Sequence, residues 1–142
     1  MNENTNRNVL AELEAFEAAG FRVGQLARRL RAEHPGLSVM TMEPTVWVIA
    51  GHAGPDVHAE LEIQSVSVDS VRAWATALDV EATVTTSATS PYERAEALAV
   101  IGDVTVKVTG SRSLTGDEYN AWRAQQKHAT NDEAKAVEAG DA

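Results

Sequence analysis

The chain has 142 residues, no cysteine, 44% hydrophobic residues and a formal net charge of −9. That length suits one domain, and a chain of this size buries about 68–70% of its unfolded surface, so a core forms without staples. The lack of cysteine excludes disulfides, zinc–thiolate sites, iron–sulfur clusters and cysteine nucleophiles, and agrees with a reducing compartment.

The opening stretch MNENTNRNVLAELEAFEAAG is polar before it turns amphipathic. It has no basic segment, no apolar segment and no small-residue cleavage site, a pattern that predicts no secretory signal. No run approaches the roughly 18 apolar residues of a membrane span. The expectation is a soluble, cytoplasmic protein with no membrane partner. Acidity is uneven: residues 1–36 balance five Lys and Arg against five Asp and Glu, residues 37–110 hold three against ten, and residues 111–142 hold four against six. An acidic middle repels phosphate backbones and disfavours nucleic acid as a partner.

In chain order, the first half-dozen residues are expected to fray. Val9, Leu10, Leu13 and Phe16 mark one helix face and Gly20 a stop; Val23, Leu26, Ala27 and Leu30 mark a second, ended by Pro35-Gly36. Residues 7–34 thus read as a helical hairpin. Period-two alternation follows over 37–64: a strand to Met42, a turn at Glu43-Pro44, a strand over Val46–Ala50, a loop at Gly51–Asp56, and a half-buried strand with Val57, Ala59, Leu61 and Ile63 inward. Val71, Trp74, Ala75 and Leu78 share one face of a central helix over 68–78, with Ser67 or Asp69 as N-cap. A second meander covers 80–110, with a tight turn at Gly102-Asp103. Thr115-x-x-Glu118 fits a capping box opening a helix over 115–128, and 129–142 read as a flexible polar tail. The fold expectation is therefore one α+β domain over 1–128, an antiparallel sheet of about six strands layered with the hairpin and two helices.

Functional signals are sparse. His52, Asp56 and His58 are the nearest approach to a metal set, and Glu60 shares the face of His58, but the spacing matches no closed ligand signature. Glu60 and Glu62 alternate on one strand face, where acid–base chemistry competes with simple edge protection. Arg28, Arg29 and Arg31 in GQLARRLR look like part of a helix-turn-helix, yet a strand follows where the recognition helix would stand. Trp74 suits the core. Trp47 and Trp122 are potential partner anchors, since aromatic residues dominate binding hot spots.

The segments VDSVRAWATALDVEATVT and IGDVTVKVTG, between Val68 and Gly110, resemble stretches in small uncharacterised proteins of actinobacteria, their phages and their integrative elements. That resemblance implies a mobile-element context and carries no functional residue. The combined expectation is a non-enzymatic accessory protein without cofactor. It would bind a protein partner through Trp47, Glu60, Glu62 and Trp122, masking a basic host protein, or would self-associate as a homodimer. The alternatives are a small-molecule pocket or enzyme site between sheet and central helix, lined by Trp47 or Trp74, and DNA binding through Arg28, Arg29 and Arg31.

Overall fold

The computed structural model describes residues 8–140, so the expected fraying of the first half-dozen residues lies outside the described residues. The elements run α1 (Val9–Glu33), β1 (Thr41–Gly51), β2 (Gly54–Gln64), α2 (Val68–Ala77), β3 (Ala82–Thr86), β4 (Tyr92–Ile101), β5 (Val104–Ser113) and α3 (Gly116–Gly140). The class is α+β, with three helices and one five-stranded mixed sheet ordered β1-β2-β5-β4-β3.

Residues 9–33 form one helix, which corrects the expected hairpin. Asn8 caps it by accepting the Ala11 amide at 3.0 Å, and the His34 amide returns to the Leu30 carbonyl at 3.0 Å just before Pro35. A glycine inside a helix costs about 1 kcal/mol relative to alanine. Ala19, Val23, Leu26 and Leu30 continue a single stripe past Gly20 and are buried over β1 and β2. Burying side chains of the Val and Leu class contributes roughly 1.5–3 kcal/mol each, so the helix continues through the glycine.

The sheet departs from expectation in two ways. Glu43-Pro44 does not turn the chain: Pro44 lies inside β1, opposite Leu61. β1 is an edge strand, the position in a sheet where proline is tolerated because no ladder bond need be lost. Two expected strands thereby merge, giving five. In addition, β5 pairs with β2 in parallel while all other neighbours are antiparallel. A meander after α2 can join β2 through its first or its last strand. Five-residue β3 is half-exposed and takes the edge, whereas ten-residue β5, with Val104, Val106 and Val108 buried, takes the centre.

One face of the sheet carries the core. Its cross-strand rows run Met42–Ile63–Val108–Ala97–Ala82, Pro44–Leu61–Val106–Ala99 and Val46–Ala59–Val104–Ile101. α1 covers the β1–β2 side of these rows and α2 the β3–β5 side. Ser67 caps α2 in a reciprocal box with Ser70, and Val68, Val71, Trp74 and Ala75 are buried beneath it. The Trp74 Nε1–H donates to the Ser38 carbonyl at 2.9 Å, and that carbonyl also accepts the Ser65 hydroxyl at 2.8 Å, tying α2 to the segment entering β1. Gly110 lets α2 settle onto β5, since a Cβ there would stand 2.6 Å from the Ser67 carbonyl oxygen and 2.7 Å from Val71 Cγ2.

α3 is attached at its start. Glu118 accepts the Thr115 amide at 3.1 Å and hydroxyl at 2.7 Å. Arg112 donates to both Glu118 carboxylate oxygens at 2.7 Å and to Glu93 at 2.9 Å. The backbone of residues 129–140, expected as part of a flexible tail, continues α3, and residues 141–142 lie outside the described residues.

Candidate functional site

Strand alternation sends every second side chain to the face away from α1 and α2. Among the described residues no helix or strand packs over that face. Its rows read Thr41–Gln64–Thr109–Glu96–Thr83, Glu43–Glu62–Lys107–Leu98, Thr45–Glu60–Thr105–Val100, Trp47–His58 and Ile49–Asp56. Large apolar groups stand in the open: Leu98 is 53% exposed, Val100 73% and Ile49 52%. On the same strand β4 the buried residues are the small Ala95, Ala97 and Ala99. Over residues 95–100, β4 therefore turns Leu98 and Val100 outward and Ala95, Ala97 and Ala99 inward, where the helices sit close.

Trp47 lies at one end of this face. Its ring stacks on the neighbouring His58, with centroids 5.2 Å apart and planes 11° from parallel, and His58 Nε2 is 3.2 Å from Asp56 Oδ2. The stack and the carboxylate hold a flat aromatic surface in place while leaving it 41% exposed. Glu60 and Glu62 are half-buried in the middle of the face. Glu62 stands between Glu43 on one side and Lys107 on the other, and Lys107 Nζ reaches Glu96 at 4.0 Å. The face as a whole sets Glu43, Asp56, Glu60, Glu62, Glu81 and Glu96 against Arg94 and Lys107. A shallow groove of about 370 Å³ runs along its β3–β4 side, lined by Glu81, Thr83, Thr85, Arg94, Glu96 and Leu98.

The remaining sequence-derived residues fall elsewhere. Trp122 is half-buried and its indole N–H donates to the Ser87 carbonyl at 2.8 Å, with Tyr119 beside it at 5.9 Å. It anchors α3 to the β3–β4 loop instead of offering a free surface to a partner. His52 sits in the β1–β2 turn, and among the described residues no three His, Cys, Asp or Glu side chains converge to hold a metal ion, so His52, Asp56 and His58 do not form the set their types suggested. Arg28, Arg29 and Arg31 are exposed on the last turns of α1, with Arg29 3.7 Å from Glu33. Of the two tryptophans that could line a pocket between sheet and central helix, Trp47 lies on the opposite side of the sheet and Trp74 is fully buried with its N–H bonded. No helix among the described residues is long and apolar enough to cross a membrane.

The strongest electrostatic coupling lies off the open face, where the Arg112 hydrogen bonds hold the Glu118 carboxyl well below the usual carboxylate range, helped by Thr115. Glu118 and Glu93 in turn raise Arg112. These groups bind α3 to the sheet and present no reactive atom.

Sequence reasoning did not single out Glu43, Glu96, Leu98 and Val100. In β4 the charges of Arg94 and Glu96 mark one alternating set as outward, but Leu98 and Val100 of that same set are larger than Ala97 and Ala99, so the two halves of the strand point opposite ways. Compared with family models, curated proteins and solved structures, the chain matches none.

Proposed function

We propose that this chain is a non-enzymatic accessory protein that docks a basic protein partner on the open face of its sheet, in the phage or mobile-element setting implied by its resemblance. The observation that carries the reading is the inversion in β4, with Leu98 and Val100 exposed while Ala97 and Ala99 are buried. Exposed apolar groups gathered on one face, bordered by charge, mark interaction surfaces. Trp47, held against His58, supplies a rigid aromatic anchor of the kind that dominates hot spots. The surrounding carboxylates, Glu60 and Glu62 among them, favour Lys- and Arg-rich surfaces and repel nucleic acid.

Capture from an actinobacterial host lysate tests the reading. Wild-type protein is expected to retain a basic protein, and Glu60→Lys/Glu62→Lys to release it at moderate salt. Equal retention by both, or no retained basic protein, would overturn the proposal. Duplex DNA retained through Arg28, Arg29 and Arg31 in place of protein would overturn it as well.

A further inference from the structure

The first three turns of α1 extend beyond its buried stripe, with Val9, Leu10, Leu13 and Phe16 46–70% exposed there, and Phe21 is 63% exposed further along. Only Ala19, Val23, Leu26 and Leu30 are buried in this helix. A second stripe runs beside the buried one at alternating steps of three and four: Leu10, Leu13, Glu17, Gly20, Gly24, Ala27 and Arg31. That spacing keeps the seven positions on one side of the helix, with Leu10, Leu13 and Ala27 as its apolar side chains, Gly20 and Gly24 at its middle and Glu17 and Arg31 as its charged members. At Gly20 and Gly24 an added Cβ would meet nothing within 4 Å, so neither glycine is required by packing within this chain. Each nevertheless costs about 1 kcal/mol of helix propensity.

The helix is also split by charge. Glu12, Glu14 and Glu17 lie in its first half; Arg22, Arg28, Arg29 and Arg31, with Glu33, lie in its second. Beside the second half lies a groove of about 560 Å³ lined by Ala27, Arg28, Arg31, Ala32, Pro35 and Met42. A small-residue floor under two arginines suits a leucine flanked by glutamates, and Leu10 and Leu13, beside Glu14 and Glu17, have that character.

We infer that α1 pairs with α1 of a second copy, antiparallel, about a two-fold axis passing between Gly20 and Gly24. The glycines then allow close approach of the two helices. Leu10 and Leu13 of each copy enter the groove of the other, and Glu14 and Glu17 face Arg31 and Arg28 of the second copy. A parallel pairing would set like charges against each other. The isologous contact is closed, so it stops at a dimer. It uses the side of the molecule remote from the open sheet face and is independent of the function proposed for that face.

Light scattering on the full chain after size exclusion tests this. Wild type is expected at twice the 15.2 kDa chain mass. Glu14→Lys/Glu17→Lys and Arg28→Glu/Arg31→Glu change surface side chains only, and each is expected at the monomer mass with an unchanged circular dichroism spectrum. Mixing the two variants is expected to restore the dimer, because the like-charged helices then complement one another. A monomeric wild type, variants that stay dimeric, or a mixture that stays monomeric would each overturn the inference.

Discussion

The two faces of the sheet are made from the same strands and differ in what they meet. The covered face is a continuous apolar set with Leu61, Ile63, Val106 and Val108 fully buried under two helices. The open face mixes Trp47, Ile49, Leu98 and Val100 with threonines and with carboxylates that outnumber its basic groups, and among the described residues it receives no helix. The first is what folding needs. The second retains apolar groups that contribute little to the fold of a single copy, which is why it is the candidate for binding.

The contrast can be broken most severely from the covered side. Trp74→Ala removes a fully buried indole and leaves Ser38 without one of its two donors. Truncating a buried aromatic to alanine typically costs about 3–5 kcal/mol, a large part of the stability of a small domain, so denaturant titration should find the variant largely unfolded or close to it. Gly110→Ala places a methyl group against the Ser67 carbonyl and Val71. Forced overpacking of this kind costs about 1–3 kcal/mol, which the same titration should show as a lower midpoint with an unchanged slope.

At the border between the faces, the Arg112–Glu118–Glu93 cluster gives a pH signature. Glu118 titrates below its ordinary value of about 4.5 in the folded chain, so its contribution is present above that value and is lost as pH falls through the depressed folded one. Wild type should therefore lose stability below about pH 4.5 more steeply than Glu118→Gln, in unfolding curves recorded across acid pH. The smallest effect belongs to the open face. Leu98→Thr/Val100→Thr should change the unfolding free energy by no more than about 0.5 kcal/mol per site, as surface substitutions usually do.

The legible parts of the fold were those fixed by local physics. Val71, Trp74 and Ala75 declare the buried side of α2, the alternation from Val57 to Ile63 declares β2, and Gly102-Asp103 declares the β4–β5 turn. Gly20 and Pro44 misled because tertiary context overrode local preference: burial carried the helix through one, and an edge position accepted the other. The parallel β2–β5 pairing leaves no local trace, since either end of the meander could meet β2. Of the open face, Glu60 and Glu62 were legible as an outward pair on one strand and Trp47 as an aromatic on another, but no local signal joined them on one face. Leu98 and Val100 were not, because which face of β4 the helices cover is decided by packing against distant residues.

The central claim is that the open face binds and the covered face folds. Its most direct test measures the affinity of the captured basic partner for wild type and for Leu98→Asp/Val100→Asp, alongside the unfolding free energy of each. Affinity is expected to fall at least about tenfold, which is about 1.4 kcal/mol, while stability stays within about 0.5 kcal/mol per site. Unchanged affinity, or a loss that follows an equal loss of stability, would contradict it.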